Sequence, residues 1–390
     1  MSGRSMVSRR SLVRTAAGTG VAAAATVIAA PTALAADKAN GVAGGVLLDD
    51  FAGANDDAKF AAALAYVAAQ TFRPTLLLTN RRYQLNNTYN LFNDFSMCGV
   101  GMEREFSKQT PVRAGGAALF RVPTGQSNNY VKNITIRGIS FEGGANTDFF
   151  EPVNLGSGPI LAYSDIRECG FNLFRKVMWN RLLGVCLDDI YVNNGTDTQL
   201  YLSGSDNYIG TGGHFFMDSQ QLTADKYLLR FGHMSKTDVG GLFITGTKAT
   251  GIRVDGGRGL TFSGTKSEAR SGAASVATQG SALVITGGSG IVVRDCWFFN
   301  VMAAPANTGN AALHKGYVTV TGGDGVLVTG CRFDRGGSSQ ASNTPAGVPC
   351  VYASGGRVMA RANLATSGQV LLYKAAATGL IDADASVALG

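Results

Sequence analysis

The amino-acid sequence predicts an all-β protein, a right-handed parallel β-helix closed at its start by a capping helix. Three observations lead there. A 2–3–2 spacing of apolar residues recurs along most of the chain, and a glycine stands directly before several copies. The third is composition: 52 glycines against 9 prolines in 390 residues suit many short strands joined by tight turns. The length exceeds an ordinary single core, but a solenoid escapes that limit because each repeat buries itself against its neighbours.

Residues 1–35 read as an export signal. Arg9 and Arg10 are followed by a weakly apolar run from Ala16 to Ala30, then by the small-residue cleavage site Ala33-Leu34-Ala35. Basic region, apolar region and cleavage site stand in the order that export requires. The run is too short and too rich in Ala, Gly and Thr to span a bilayer stably, so no membrane partner is expected after cleavage. The paired arginines resemble a twin-arginine signal, which exports folded protein, and the expected location is extracellular. Residues 36–45 read as a linker. Residues 46–390 read as one β-helix domain with its cap at 46–95.

In the cap, Asn55 is placed as the N-cap of a helix from Asp56 to Gln70, with Phe60, Leu64 and Val67 on one face. Strands are expected at Thr75–Thr79 and Arg81–Leu85. A helix over the first coil covers the open end of the core and blocks edge pairing.

The repeat is clearest in two segments. ALVITGGSGIVVRDCWF at 282–298 and YVTVTGGDGVLVTGCRF at 317–333 share Thr, three Gly, Val, Cys and Phe. Ile291, Val293, Cys296 and Phe298 in one match Val326, Val328, Cys331 and Phe333 in the other. Positions two apart on a strand point the same way, and a gap of three is a one-residue bend that keeps the apolar side inward. Ile134/Ile136/Ile139/Phe141 and Val185/Leu187/Ile190/Val192 fit the same spacing. Weaker copies are read at Leu242/Ile244/Thr247/Ala249, Leu260/Phe262/Thr265/Ser267, Val358/Ala360/Asn363/Ala365 and Leu380/Asp382/Ala385/Val387. The gaps from Ile134 to Val185 and from Val185 to Leu242 are long enough for two coils each.

Asp50-Phe51-Ala52-Gly53-Ala54-Asn55-Asp56-Asp57, with the helix and strands after it, resembles the opening of the pectate-lyase-like superfamily. That group includes polygalacturonase-related proteins and phage tailspikes. The resemblance covers roughly residues 45–370 and implies extracellular polysaccharide chemistry or adhesion. Asp188-Asp189 is present, but Gly-His-Gly and Arg-Ile-Lys are absent, which argues against galacturonan hydrolysis.

Six cysteines invite a disulfide framework. Cys296 and Cys331, however, occupy the same inward position on consecutive copies. Stacked side chains keep their Cβ atoms at about 4.8 Å, wider than the usual disulfide separation of about 3.8 Å. They are read as free core thiols, with Cys98, Cys169, Cys186 and Cys350 left open. No Cys-x-x-Cys or His-Glu-x-x-His occurs, and no cofactor is expected. The one metal reading is Ca²⁺ at Asp188 and Asp189, against the alternative that the pair satisfies turn backbone. The formal charge of +7 includes Arg4, Arg9, Arg10 and Arg14 of the signal. Beyond residue 35, 30 basic residues face 27 acidic ones, a net +3, which does not suit wholesale nucleic-acid binding.

The repeat also indicates which residues face out. One column holds Tyr191, Lys248, Lys266, Trp297 and Arg332. A second, two residues on, holds Glu268, Phe299 and Asp334. Cations and aromatic faces in one strip suit a glycan, above all an acidic one. The expected partner is therefore a polysaccharide, with Lys248, Tyr191, Trp297 and Phe299 as binding residues and the oligomeric state left open. A lyase would use Lys266 or Lys248 as base and Arg332 to neutralise a uronate; a glycosidase would use Glu268 and Asp334 as acid and base. The competing reading is a non-catalytic carbohydrate-binding or tailspike-like adhesion protein.

Overall fold

The computed structural model describes residues 44–99, 112–124, 129–218, 226–246, 250–269, 280–299, 315–335, 347–366, 373–383 and 387–388. The export signal, the linker up to residue 43, Lys248 and most of the long loop after Phe299 lie outside these residues. Gly45–Gly390 form one compact unit. No helix among the described residues is long and apolar enough to cross a membrane.

The unit is a right-handed parallel β-helix, and every strand pairing in it is parallel. Each coil contributes to three stacked sheets. The first ladders Val46 to Leu76, Met97, Ile136, Ile166, Leu187, Ile209, Val239, Phe262, Val293, Val328, Ala360 and Ala383. The second continues each coil after a bend, through Phe141, Phe171, Val192, Met217, Ile244, Ser267, Phe298, Phe333 and Ala365. The third includes Met178–Leu183, Leu200–Ser205 and the first parts of Tyr227–Gly246 and Thr250–Ser263. Inward residues of all three fill one continuous apolar core. Ile134, Ile136, Val185, Leu187, Val293, Phe298, Val328 and Phe333 are all buried in it, as the spacing predicts.

The two long gaps each hold two coils. Ile166/Cys169/Phe171 stands between the first two clear copies, and the strand Tyr208–Asp218 follows the second. Two expected registers are wrong. Leu242 and Ile244 are the second pair of their coil, and the first pair is Thr237 and Val239. The last coil is displaced by one residue: Val358 pairs with Ile381, and Leu380 is exposed.

The cap is a helix at Asp56–Ala69, and Asn55 Oδ1 accepts from the Ala58 amide at 2.9 Å. Its buried face is Phe60, Ala63 and Val67, with Leu64 only partly buried. Phe60 packs edge-on to Tyr89 at 4.6 Å and tilted to Phe120 at 6.4 Å. The flanking strands are shorter than expected, at Leu76–Leu77 and Tyr83–Leu85.

Candidate functional site

The outward face of the second sheet brings most of the expected residues together. One column runs Tyr191, Phe243, Lys266, Trp297 and Arg332, with the strand Tyr208–Asp218 supplying the rung between the first two. Beside it run Asn193, Glu268, Phe299 and Asp334. Phe243 occupies the rung that Lys248 was expected to fill. It was missed because its coil was read one strand too late.

Along this face rings and cations alternate. The Lys266 ammonium lies 4.8 Å from the Phe243 ring centre and 4.5 Å from that of Trp297. The Arg332 guanidinium lies 5.0 Å from the same Trp297 ring, so the indole is flanked by a cation on each neighbouring rung. Phe299 meets Trp297 edge-on at 5.8 Å. The arrangement follows from rung spacing: side chains at one position of successive strands sit about 4.8 Å apart, within cation–π reach. The Trp297 Nε1 is buried and has no protein hydrogen-bond partner.

The carboxylates are held by cations of their own strands. Lys266 Nζ pairs with Glu268 Oε2 at 2.9 Å, both side chains being partly exposed. Arg332 pairs with Asp334 Oδ2 at 3.4 Å, and the same oxygen accepts from Thr366 Oγ1 at 2.9 Å. Glu268 and Asp334 stand two rungs apart, about 9.6 Å along the stack. Two positions depart from the expected open surface. Asp334 faces this column but is buried, its side chain 4% exposed, because Arg332 and Thr366 enclose it. Tyr191 keeps its place in the column and is likewise buried.

Asp188 and Asp189 lie away from this strip. Asp188 belongs to the first sheet, 3.8 Å from Arg167, which also holds Asp165. Asp189 takes the bend itself, with a left-handed φ of 45°. Neighbouring Cys186 and Tyr208 have their pKa values pushed up, in each case chiefly by burial. Asp189 thus occupies the turn, but its Oδ1 is buried without a hydrogen-bond partner. Among the described residues no group of three or more His, Cys, Asp or Glu could hold a metal ion.

All six cysteines are free. Cys296 and Cys331 are buried on consecutive rungs, and their thiols donate to backbone carbonyls: Cys296 to Arg294 at 3.2 Å and Cys331 to Thr329 at 3.4 Å.

No protein-family model matches this sequence, and no curated protein does. Solved structures do match its fold. A DFA-IIIase from Arthrobacter chlorophenolicus A6, without its lid and in complex with GF2, superposes with a TM-score of 0.61 at 11% identity, over 90% of this chain and 97% of that one. A point mutant of the same enzyme in complex with DFA-III gives 0.59 at 11% identity, over 84% and 86%. The Agl-KA catalytic domain gives 0.50 at 12% identity, over 88% of this chain and 69% of that one. At such identities the likeness is one of fold, and the chain is built as a parallel β-helix like these proteins.

Proposed function

We propose that this protein is a secreted, polysaccharide-active enzyme of the glycoside-hydrolase type, and that the second-sheet strip holds its glycan. The observation that carries the reading is the unbroken alternation Phe243, Lys266, Trp297, Arg332 on consecutive rungs. Packing does not require it, since the core is filled by the inward residues of the same strands. Rings offer apolar faces to sugars, and cations offer donors to hydroxyl or carboxylate groups. The DFA-IIIase structures that share this fold were solved in complex with DFA-III and GF2, which supports a glycan ligand here, and hydrolysis is the reaction proposed.

In this reading Lys266, Trp297, Phe299 and Arg332 bind the chain. Glu268 is the reachable carboxylate beside them, and Asp334 orients Arg332 from beneath. A second reading, a binder without catalysis, has one specific observation in its favour: the enclosure of Asp334 leaves Glu268 without an open acid partner two rungs away.

One assay separates them. Purified protein is screened on neutral and uronate glycans, following reducing ends for hydrolysis and ultraviolet absorbance for unsaturated products. Reducing ends without unsaturation are expected, and a binder releases neither. Trp297→Ala is expected to weaken glycan binding by about 1–3 kcal/mol, through lost ring contact. Binding and turnover that survive the Trp297→Ala/Lys266→Ala double change place the site on another face.

A further inference from the structure

A second run of rings and cations lies on the outward face of the third sheet. Its rungs carry Trp179, Tyr201, Arg230 and Arg253 in register. The Lys176 ammonium sits 3.6 Å from the Trp179 ring centre. Trp179 meets Tyr201 edge-on at 5.4 Å, and the Arg230 guanidinium lies 4.4 Å from the Tyr201 ring. Arg230 and Arg253 both clamp Asp255, at 2.6 and 2.5 Å.

Charge distinguishes this face from the second-sheet strip. There, Lys266 and Arg332 are matched by Glu268 and Asp334. Here, among the described residues, the pair Arg175–Asp148 cancels beside Lys176, and Lys176, Arg181, Lys226, Arg230 and Arg253 share two further carboxylates. Asp197 takes Lys226 at 2.7 Å and Lys176 at 3.8 Å, and Asp255 takes the two arginines. Arg181 donates to the Gly158 carbonyl, which carries no charge. Five cations less two carboxylates leave +3, as large as the net charge of everything beyond residue 35. A solvated face with random pairing has no reason to gather it here. Burial also draws the Lys176 ammonium below its ordinary pKa, a strain that an arriving anion would relieve.

We propose that the outward face of the third sheet, from Trp179 to Arg253, binds an anionic glycan chain bearing carboxylate or sulfate groups, at a site separate from the second-sheet strip. Fixed guanidinium pairs recognise such groups, and rings stack against the sugar between them. The choice of a glycan as the polyanion rests on the proposed function.

Affinity electrophoresis tests it, with polygalacturonate, dextran sulfate or neutral dextran in the gel. At least one of the two anionic polymers is expected to retard the protein, less so as salt is raised. The polymer that does so separates the carboxylate from the sulfate source. Arg230→Gln/Arg253→Gln is expected to weaken that retardation about tenfold, the loss of one strong charge-assisted contact or more. Lys226→Gln, a partly exposed position that spares the clamp on Asp255, is expected to weaken it about threefold and serves if the double variant does not fold. Lys236→Gln, an exposed cation outside both faces, is expected to leave it unchanged. Failure of both anionic polymers to retard the protein, unchanged retardation in the Lys226 and arginine variants, or tighter binding of a duplex oligonucleotide overturns the proposal. Loss of anionic binding in Trp297→Ala also overturns it and moves the anion site to the second sheet. Loss of turnover in Trp297→Ala bears on the proposed function alone.

Discussion

Asp49, Asp56 and Asp57, at the head of the β-helix, are bonded to the coil after them. Asp49 accepts from Thr79 and Tyr83 and binds Arg81; Asp56 takes the other end of Arg81 and the Gln84 amide; Asp57 accepts from the Asn86 and Asn87 amides and from Tyr89. The acidic cluster of the opening motif is thus a staple between the capping helix and the first coils. Burial opposes ionisation of Asp49, but the bonds from Arg81, Thr79 and Tyr83 outweigh it and hold its carboxyl at about 2, against 3.8 when free. Asp56 and Asp57 are lowered in the same way, burial being outweighed by Arg81 and by Tyr89 respectively. A depressed folded-state pKa stabilises above the free value and is lost as pH falls through the folded one. Stability is therefore expected to fall between about pH 4 and pH 2, with Asp49 contributing up to about 2 kcal/mol. Asp49→Asn should be less stable at neutral pH and show a shallower decline in that window by urea titration. An unchanged acid profile would remove Asp49 from the staple.

At the scale of the element, the bends decide what a sequence can reveal. Eight of the described coils turn into the first sheet, and eight into the second, at residues with left-handed φ. The first bend uses Asn133, Tyr163, Gly184, Asp206, Lys236, Gly259, Gly290 and Gly325; the second uses Gly138, Glu168, Asp189, Gly241, Gly264, Asp295, Gly330 and Ala362. Where glycine marks the first bend, as at Gly290 and Gly325, the register is legible and correct. At Tyr163, Asp206 and Lys236 no glycine marks it and the coil is hidden or misread, although Asn133 still heads a legible copy whose four apolar positions are all large. Tyr163 and Asp206 conceal two coils, and Lys236 leaves Gly241, which belongs to the second bend, as the visible marker for its own coil. That one displacement put Lys248 where Phe243 stands. The Lys266, Trp297 and Arg332 alignment was legible because glycines set their coils, whereas the enclosure of Asp334 depends on Thr366, a neighbour from the next rung that no single-coil pattern contains. Some glycines are demanded by closeness instead. Gly257 has φ 125°, and a Cβ there would stand 1.8 Å from the Met234 carbonyl oxygen. Gly257→Ala is expected to cost at least about 3 kcal/mol through strain and displaced backbone. A melting temperature within a degree or two of the parent would show that the stack can open at this rung.

For the whole molecule, the parallel stack and its thiols bear on how the chain is proposed to leave the cell. Every coil pairs with segments about 20–35 residues away, so the structure has few local contacts and is expected to form slowly. It also carries six unpaired cysteines. Four of them, Cys169, Cys296, Cys331 and Cys350, are buried; burial pushes the Cys169 thiol up to about 12, while the contact between Cys296 and Cys331, more than burial, raises Cys331 and lowers Cys296. An unfolded chain with six free thiols in an oxidising compartment is open to mispairing, whereas a chain that folds first exports them protected. That is a physical argument for the folded-protein route proposed from Arg9 and Arg10 ahead of a weakly apolar run. In the native protein a maleimide should reach at most the half-buried Cys98 and Cys186, and all six thiols only after unfolding. Arg9→Lys/Arg10→Lys should abolish secretion while leaving folded protein inside the cell. Secretion of the Lys-Lys form at the parental level would mean that the chain leaves by a route that does not read the paired arginines, and the protection of the thiols would then have to arise after export.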